Sequence, residues 1–238
     1  MLGRVDKLIS LQLNISRNDT KTMLKSGRIT VNDVVVKKPE TKIDTEKDIV
    51  CIDKKEIDVC EFVYLMMNKP KSVLCASTDK RAKTVIDIVQ PDLKRKGLFC
   101  VGRLDKDTTG LLLITDDGDF SHRVISPKSM IPKKYEVEVD GIITEQMITI
   151  FKEGIVLADG TKCLPATLTI ISDNVAHVVI YEGKYHQIKR MFGVVNLGVV
   201  NLKRLQIGGL KLDESLKEGE MKKLSKNELS SIFNEKYC

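Results

Sequence analysis

A succession of short strand-like segments in residues 61–238 constrains the fold more than any other feature. Seven runs are rich in aliphatic and β-branched residues and lie between turn-forming residues: YLMMN, SVLCA, GLFCV, LLLIT, KKYEVEV, ATLTII and AHVVIY. Three further runs, TVIDIV, FSHRVI and TEQMITIF, have helical character. Many short strands with few helices between them favour an α+β domain built on a mixed, largely antiparallel β-sheet over a doubly wound fold.

The first 58 residues have a different pattern. Apolar residues recur at helical spacing in RVDKLISLQL, and Ser16 or Asn18 is placed to cap a second helix that stops at Gly27. The following RITV, ND and VVV predict a tight hairpin, because Asn and Asp tolerate the left-handed backbone of a two-residue turn. A charged stretch then precedes a rise in apolar content near Cys60. We therefore predict a small α/β domain over residues 1–58 and a larger domain over residues 61–238.

The distribution of charge is more informative than its total. The net charge of +6, from 39 basic and 33 acidic residues, indicates nucleic acid only weakly. Residues 1–42, however, hold nine Lys and Arg against four Asp and Glu. Lys21, Lys25 and Arg28 are expected beside the hairpin, where a basic ridge could follow RNA phosphates. A solvated helix face is the alternative interpretation.

Several classes of chemistry have no motif in this chain. The six cysteines include no C-x-x-C pair and the three histidines are widely separated, so no zinc site is expected. The chain lacks G-x-G-x-x-G, G-x-x-x-x-G-K-[ST], H-E-x-x-H and G-x-S-x-G. We therefore expect no cofactor and no metal. No apolar run is long enough to cross a bilayer and no signal peptide is apparent, so a cytoplasmic monomer with reduced thiols is expected.

The stretch VGRLDKDTTGLLLITDDG places an aspartate in a charged loop between two apolar segments. Such a loop is held at both ends by residues that must be buried, which restricts its side chains to a narrow geometry. Arg103 and Lys106 beside Asp105 favour the charged form of its carboxyl group, which suits a nucleophile or base. The alternative is that Asp105 only caps a turn and Arg103 only neutralises it.

Two other segments carry candidate functional side chains. In KKYEVEV the alternation places Tyr135 on the same face as two valines, so its ring either begins a core row or enters a site. In EGKYHQIKRMF the basic residues Lys184, Lys189 and Arg190 are interleaved with aromatic rings, a combination that suits RNA phosphates and bases. His186 in this segment could equally be a hydrogen-bonded structural histidine.

These segments together resemble a known family. GRLDKDTTGLLLITDDG followed by FSHRVISPK resembles the signature of the RsuA-type pseudouridine synthases. YLMMNKPKSVLCASTD lies before it, and KKYEVEV, EGKYHQIKRMF and RLQIGGLKL follow in the family's order. Residues 1–58 resemble the S4-like RNA-binding domain in R-x-D-K, SR, GRITVN and DIVCI. The resemblance covers essentially the whole chain.

The resemblance implies roles for individual residues. It implies that Asp105 is the catalytic residue, that Tyr135 lies against the target base, and that Lys189 is the basic partner of Asp105. Arg190 is the neighbour that could be mistaken for this partner. Arg103 would steady the extruded nucleotide or the gap that it leaves.

The implied reaction is the conversion of uridine to pseudouridine in ribosomal RNA. SHR with SPK downstream resembles the small-subunit branch, whose usual target is U516 of 16S rRNA. The implied partner is therefore 16S rRNA or a 30S assembly intermediate. A 23S rRNA synthase of the same family is the first alternative. A non-catalytic RNA-binding or assembly factor that keeps the S4-like domain is the second.

Overall fold

The computed structural model describes residues 2–234 of the chain. The chain forms two compact units. One comprises Met1–Val63 and Gln90–Leu98, and the other comprises Tyr64–Val89 and Phe99–Cys238. The chain therefore passes between the units three times. The predicted domain limits, 1–58 and 61–238, stay a prediction, and nothing in them anticipates the return of residues 90–98 to the first unit.

The amino-terminal unit contains two helices and six short strands within residues 2–63. In chain order these are β1 (Leu2–Arg4), α1 (Val5–Gln12), α2 (Arg17–Lys25), β2 (Ile29–Val31), β3 (Val34–Val35), β4 (Lys42–Asp44), β5 (Val50–Ile52) and β6 (Lys55–Ile57). β1 pairs with β4, and the others form a sheet in the order β3-β2-β5-β6. Both helices pack apolar residues, Leu8 and Leu24 among them, into one aliphatic core with this sheet.

Local signals in the sequence account for this unit. Ser16 caps α2 by accepting a hydrogen bond from the Asp19 N–H, and the Asp19 carboxylate reciprocates as a capping box. The predicted cap is therefore Ser16 and not Asn18. Asn32 and Asp33 have φ angles of 50° and 65°, the left-handed conformation that a tight β2-β3 turn requires. The predicted pair of helices and hairpin is confirmed.

The second unit is built on a nine-stranded sheet. Its elements are β7 (Tyr64–Lys69), β8 (Phe99–Val101), β9 (Thr109–Thr115), α3 (Gly118–Ile125), β10 (Lys133–Val139), α4 (Glu145–Glu153), β11 (Thr167–Ser172), β12 (Val175–Ile180), α5 (Gln187–Val194), β13 (Val199–Ile207), β14 (Leu210–Lys211), β15 (Met221–Lys223) and α6 (Lys226–Ser231). The main order is β11-β12-β10-β13-β9-β7-β15, with β14 on β13 and β8 on β9. β9 and β13 are parallel and the other pairs are antiparallel. The predicted mixed, largely antiparallel sheet is confirmed.

Two of the segment predictions are wrong. SVLCA forms no strand. Its Leu74 makes only an isolated β-bridge with Thr84, in which the Leu74 N–H donates to the Lys83 carbonyl and the Leu74 carbonyl accepts from the Val85 N–H. TVIDIV forms turns and not a helix. Thr84 and Asp87 cap one another as at a helix start, but Pro91 follows too soon for a helix to propagate.

Strand β9 contains the apolar run LLLIT of the sequence. All seven of its residues are buried, because the strand lies inside the sheet. Its parallel contact with β13 is close at Gly110, where φ is +95° and an added Cβ would lie 2.3 Å from the Arg204 carbonyl oxygen. Only glycine fits there. β9 therefore fixes the carboxyl end of the charged loop that precedes it. Within residues 2–234, no helix is long and apolar enough to span a membrane.

Candidate active site

The buried side chain of Lys69 binds the backbone of the charged loop that carries Asp105. Lys69 ends strand β7, its side chain is fully buried, and its Nζ donates to three carbonyl oxygens. These belong to Pro70 at 3.1 Å, Lys106 at 3.3 Å and Thr108 at 3.0 Å. Burial lowers the pKa of the Lys69 ammonium, and nearby thiols and carboxylates oppose that shift. An ammonium bonded to both sides of residue 107 restricts the path of the loop.

Further backbone contacts restrict the residues around Asp105. The Leu104 N–H donates to the Cys75 Sγ at 3.3 Å, and the Thr108 N–H donates to the Asp105 carbonyl at 3.2 Å. A hydrogen bond with Cys100, together with the Leu104 N–H, lowers the pKa of the Cys75 thiol to about 6 although burial opposes this. The firm anchoring of this loop thus keeps one carboxylate in a fixed position.

Six side chains predicted for the site line one cavity in the second unit. Its walls include Arg103, Asp105, Tyr135, Lys184, His186 and Lys189, and the space within is about 430 Å³, part of it open to solvent. The loop before β9, strand β10 and the segment entering α5 supply these residues. The Asp105 side chain is 29% exposed, so its carboxylate is accessible from the cavity.

The basic side chains near Asp105 come from the α5 segment and not from its sequence neighbours. Lys189 Nζ lies 3.8 Å from Asp105 Oδ2, and His186 Nε2 lies 3.5 Å from Oδ1. Within the described residues, neither Arg103 nor Lys106 forms an ion pair with Asp105. The interpretation that Arg103 neutralises Asp105 is wrong, because Asp105 pairs with Lys189 instead, and the Arg103 side chain is exposed where it lines the cavity.

Lys189 also bridges to a second carboxylate. Its Nζ lies 2.7 Å from both oxygens of Asp107, and this hydrogen bond holds the pKa of Asp107 below its usual range. Arg190 lies elsewhere, in an ion pair of 2.5 Å with Asp159, and does not line the cavity. Of the two neighbouring cations, Lys189 is therefore the one that faces Asp105.

Tyr135 both packs in the core of the second unit and lines the cavity. It is 7% exposed, lies on the same face of β10 as the buried Val137, and lines the cavity. Its hydroxyl oxygen lies 3.5 Å from Nη1 of Arg204. Arg204 is 3% exposed and its Nε donates to the Leu111 carbonyl at 2.7 Å. A buried guanidinium therefore supports the tyrosine from the sheet side.

Sequence reasoning assigned no role to three of these supporting residues. Lys69 and Cys75 lie in YLMMNKPKSVLCASTD, and Arg204 begins RLQIGGLKL, two segments that contributed only to the resemblance. A lysine directly after a buried apolar strand was the available signal, since an ammonium there must find acceptors or reach solvent.

The cations predicted for RNA in the amino-terminal unit are at its surface. Lys21 and Lys25 are exposed and one helical turn apart on α2, so they share a face. Arg28 is exposed too, but its guanidinium binds Asp53 through Nε at 2.9 Å and through Nη2 at 2.5 Å. A phosphate would have to compete with that carboxylate for Arg28.

Comparisons with known proteins agree with this architecture. The RNA pseudouridylate synthase family model matches residues 63–193, and the S4 domain model matches residues 3–50. The chain is 40% identical over 236 residues to an uncharacterized RNA pseudouridine synthase, YtzG, of Bacillus subtilis, covering 98% of each chain. It is 40% identical over 233 residues to the ribosomal small subunit pseudouridine synthase A of Vibrio cholerae, covering 97% of this chain and 99% of that one.

A solved structure shows the same fold over nearly the full length. The crystal structure of a pseudouridylate synthase matches with a TM-score of 0.69 and 35% identity, covering 96% of this chain and 99% of that chain. The residues that the pseudouridylate synthase family model matches include the loop, β10 and nearly all of α5, which build the cavity. The chain belongs to the RNA pseudouridine synthases, as an RsuA-type member with an amino-terminal S4 domain.

Proposed function

We propose that this enzyme converts a uridine of small-subunit ribosomal RNA to pseudouridine, with Asp105 as the catalytic residue. The observation that carries the proposal is that Asp105, Tyr135 and Lys189, far apart in sequence, line one open cavity. The name of the Vibrio cholerae relative, and of a 36% identical Escherichia coli relative, supports the small subunit. U516 of 16S rRNA, in free RNA or in a 30S assembly intermediate, is the specific target proposed.

The reaction needs only nucleophilic and proton-transfer groups. The N1–C1′ bond of uridine breaks, the uracil turns, and a C5–C1′ bond forms, while C5 loses a proton and N1 gains one. No atom is oxidised or reduced. The Asp105 carboxylate is accessible and suited to attack or otherwise assist at the ribose. Lys189, whose Nζ lies 3.8 Å from Oδ2, orients this carboxylate through an ion pair.

Tyr135 is suited to hold the uracil and to transfer protons. Its flat ring borders the cavity, where a base can stack on it. The guanidinium of Arg204 can only donate, so the phenol oxygen accepts from it and the hydroxyl hydrogen stays available to the substrate. This arrangement directs the Tyr135 hydroxyl toward proton exchange with the turning base.

A uridine within folded RNA must leave its stack before Asp105 can reach it. Extruding a base costs about a few kcal/mol, and backbone contacts must offset that cost. Arg103, exposed at the cavity, is placed to steady the extruded nucleotide or the gap, and Lys184 and His186 line the same cavity. Arg190 lies outside it, and a phosphate would have to compete with Asp159 for its guanidinium. Lys21, Lys25 and Arg28 of the S4 domain supply phosphate contacts that carry no base specificity.

The catalytic assignment is tested by release of tritium from C5 of labelled uridine in ribosomal RNA transcripts. We expect Asp105→Asn to lower the rate by at least about 10³-fold, because the amide is not a nucleophile. Asp119→Asn is the matched control, since Asp119 is an exposed aspartate outside the cavity. Turnover by Asp105→Asn at the rate of the control would end the assignment.

The substrate assignment is tested separately by mapping pseudouridine in both ribosomal RNAs from cells with and without the gene. Loss of one site in 16S rRNA supports the proposal. Loss of a site in 23S rRNA instead would establish the large-subunit alternative. RNA binding with no site lost in either RNA would indicate a non-catalytic assembly factor.

A further inference from the structure

Tyr185 places an aromatic ring at the entrance of the catalytic cavity. Its side chain is 73% exposed, although the ring stacks on His186 with centroids 3.9 Å apart and planes 18° apart. His186 lines the cavity and its Nε2 lies 3.5 Å from Asp105 Oδ1. The two rings therefore lead from the catalytic carboxylate to solvent, and the second ring leaves most of its surface uncovered.

The segment that carries these rings is held in place by its neighbours. Gln187 is buried, its Oε1 accepts from the Lys184 N–H at 3.0 Å, and its Nε2 donates to Glu182 at 2.9 Å. Glu182 in turn accepts from the Leu164 N–H at 2.9 Å. His186 has φ of +47° and ψ of +35°, a left-handed backbone that is uncommon outside glycine. Such a conformation persists only where its surroundings enforce it, and it recurs at functional sites.

We propose that the ring pair of Tyr185 and His186, here called the stacking platform, binds the unpaired nucleobase next to the target uridine. This inference rests on the proposed function, because it assumes that RNA enters the cavity. Extrusion of one nucleotide exposes the face of its neighbour, and aromatic side chains recognise single-stranded bases by stacking. Arg190 Nη1 lies 3.5 Å from the Tyr185 carbonyl oxygen, and Lys184 and Lys189 line the adjoining cavity. Each of these cations pairs with a carboxylate, with which an accompanying RNA phosphate would compete.

The platform is tested by changing the protein ring at residue 185 and, separately, the RNA base that is proposed to stack on it. Single-turnover rates are measured on RNA oligonucleotides that contain the mapped uridine, with a normal or an abasic nucleotide at each adjacent position. We expect Tyr185→Ala to lower kcat/KM about 5- to 150-fold, the range for loss of one aromatic stack, while Tyr185→Phe stays within about twofold. The abasic neighbour should weaken the wild type by a similar factor and leave Tyr185→Ala unchanged.

A binding measurement gives a readout that needs no turnover. The chain contains no tryptophan, so Tyr185→Trp introduces a single tryptophan into the platform, whose emission can be excited apart from that of the four remaining tyrosines. The same oligonucleotides should quench its emission when both neighbours are present and fail to quench it when the stacking neighbour is abasic. Ile142→Trp is the control, since Ile142 is 68% exposed and lies outside the cavity.

The outcomes separate the two proposals. Pseudouridine formed equally well by wild type and Tyr185→Ala would overturn the platform and leave the proposed function intact. An abasic neighbour that weakens Tyr185→Ala as much as wild type would do the same. If wild type forms no pseudouridine in either ribosomal RNA, the proposed function fails, and quenching at residue 185 by oligonucleotides that carry the U516 sequence of 16S rRNA still decides whether a base stacks there.

Discussion

The cations around the catalytic loop and the two lysines of α2 in the S4 domain are held in opposite ways. In the catalytic unit, Lys69 is buried against three carbonyl oxygens, and Lys189 and Arg190 bind carboxylates at 2.7 Å and 2.5 Å. In the S4 domain, the side chains of Lys21 and Lys25 are exposed, and their ammonium groups form no ion pair or hydrogen bond within residues 2–234. The first arrangement fixes geometry, whereas the second leaves charge free for a partner.

We infer from this difference that the held cations serve catalysis and the exposed lysines serve RNA binding. A cation that is already held loses little conformational entropy when the substrate arrives, so it can orient a reacting group. An exposed lysine loses its side-chain freedom on binding but releases counterions from the RNA. We therefore expect substitutions in the catalytic unit to change kcat and substitutions on α2 to change affinity and its salt dependence.

The sharpest test of this division is Lys69→Met. The thioether keeps most of the apolar volume but leaves three carbonyl oxygens without their donor, which should lower the free energy of unfolding by about 2–4 kcal/mol. The loop that carries Asp105 then loses its fixed path, and we expect kcat to fall by about 10²-fold with RNA affinity unchanged. Single-turnover rates and binding isotherms measure the two separately.

Lys71→Met is the matched control for Lys69→Met. Lys71 is the exposed neighbour, and among the residues that the structure describes its Nζ binds only the Asn201 side chain, so its loss should leave kcat within about twofold. A Lys69→Met variant that remains folded at the assay temperature and turns over like this control would show that the buried ammonium does not position the loop.

The role of Lys69 marks the limit of what the sequence could predict. Period-two alternation and turn residues predicted most strands, and the resemblance brought Asp105, Tyr135 and Lys189 into one site. The bonds from Lys69 to residues 106 and 108 cross more than 35 positions, and no local pattern encodes them. The failed helix TVIDIV shows the same limit, because six residues before Pro91 cannot offset the cost of nucleation.

Cys75 is a further ionisable group held beside the catalytic loop, where its Sγ accepts a hydrogen bond from the Leu104 N–H. Its pKa is lowered from 9.0 to about 6, first by the hydrogen bond with Cys100, whose own pKa is raised. Between pH 6 and 9 the folded Cys75 is ionised while the unfolded thiol keeps its proton. The unfolded state binds more protons, so stability should rise with pH in this window, by at most about 1.4 kcal/mol per unit. Above pH 9 the raised pKa of Cys100 reverses the slope.

Urea unfolding at pH 6, 7 and 8 measures this contribution by difference. We expect the free energy of unfolding of wild type to increase with pH more steeply than that of Cys75→Ser, because serine does not ionise in this range. The cysteines other than Cys75 and Cys100 are common to both proteins and cancel. Cys100, whose pKa Cys75 raises, keeps its proton at these pH values in folded wild type. Parallel slopes would show that Cys75 is a neutral thiol in the folded protein.

The smallest effect on the reaction is expected from substitutions of the exposed lysines of α2. Lys21→Gln with Lys25→Gln removes two exposed charges from α2 and should leave kcat at saturating RNA unchanged. The slope of log affinity against log salt should fall by about 0.7–0.9 for each phosphate that the variant no longer neutralises. Arg28→Gln should lower this slope less, because Asp53 already neutralises that guanidinium. A larger change for Arg28→Gln than for either lysine would mean that RNA displaces Asp53, and that this cation too is free for the partner.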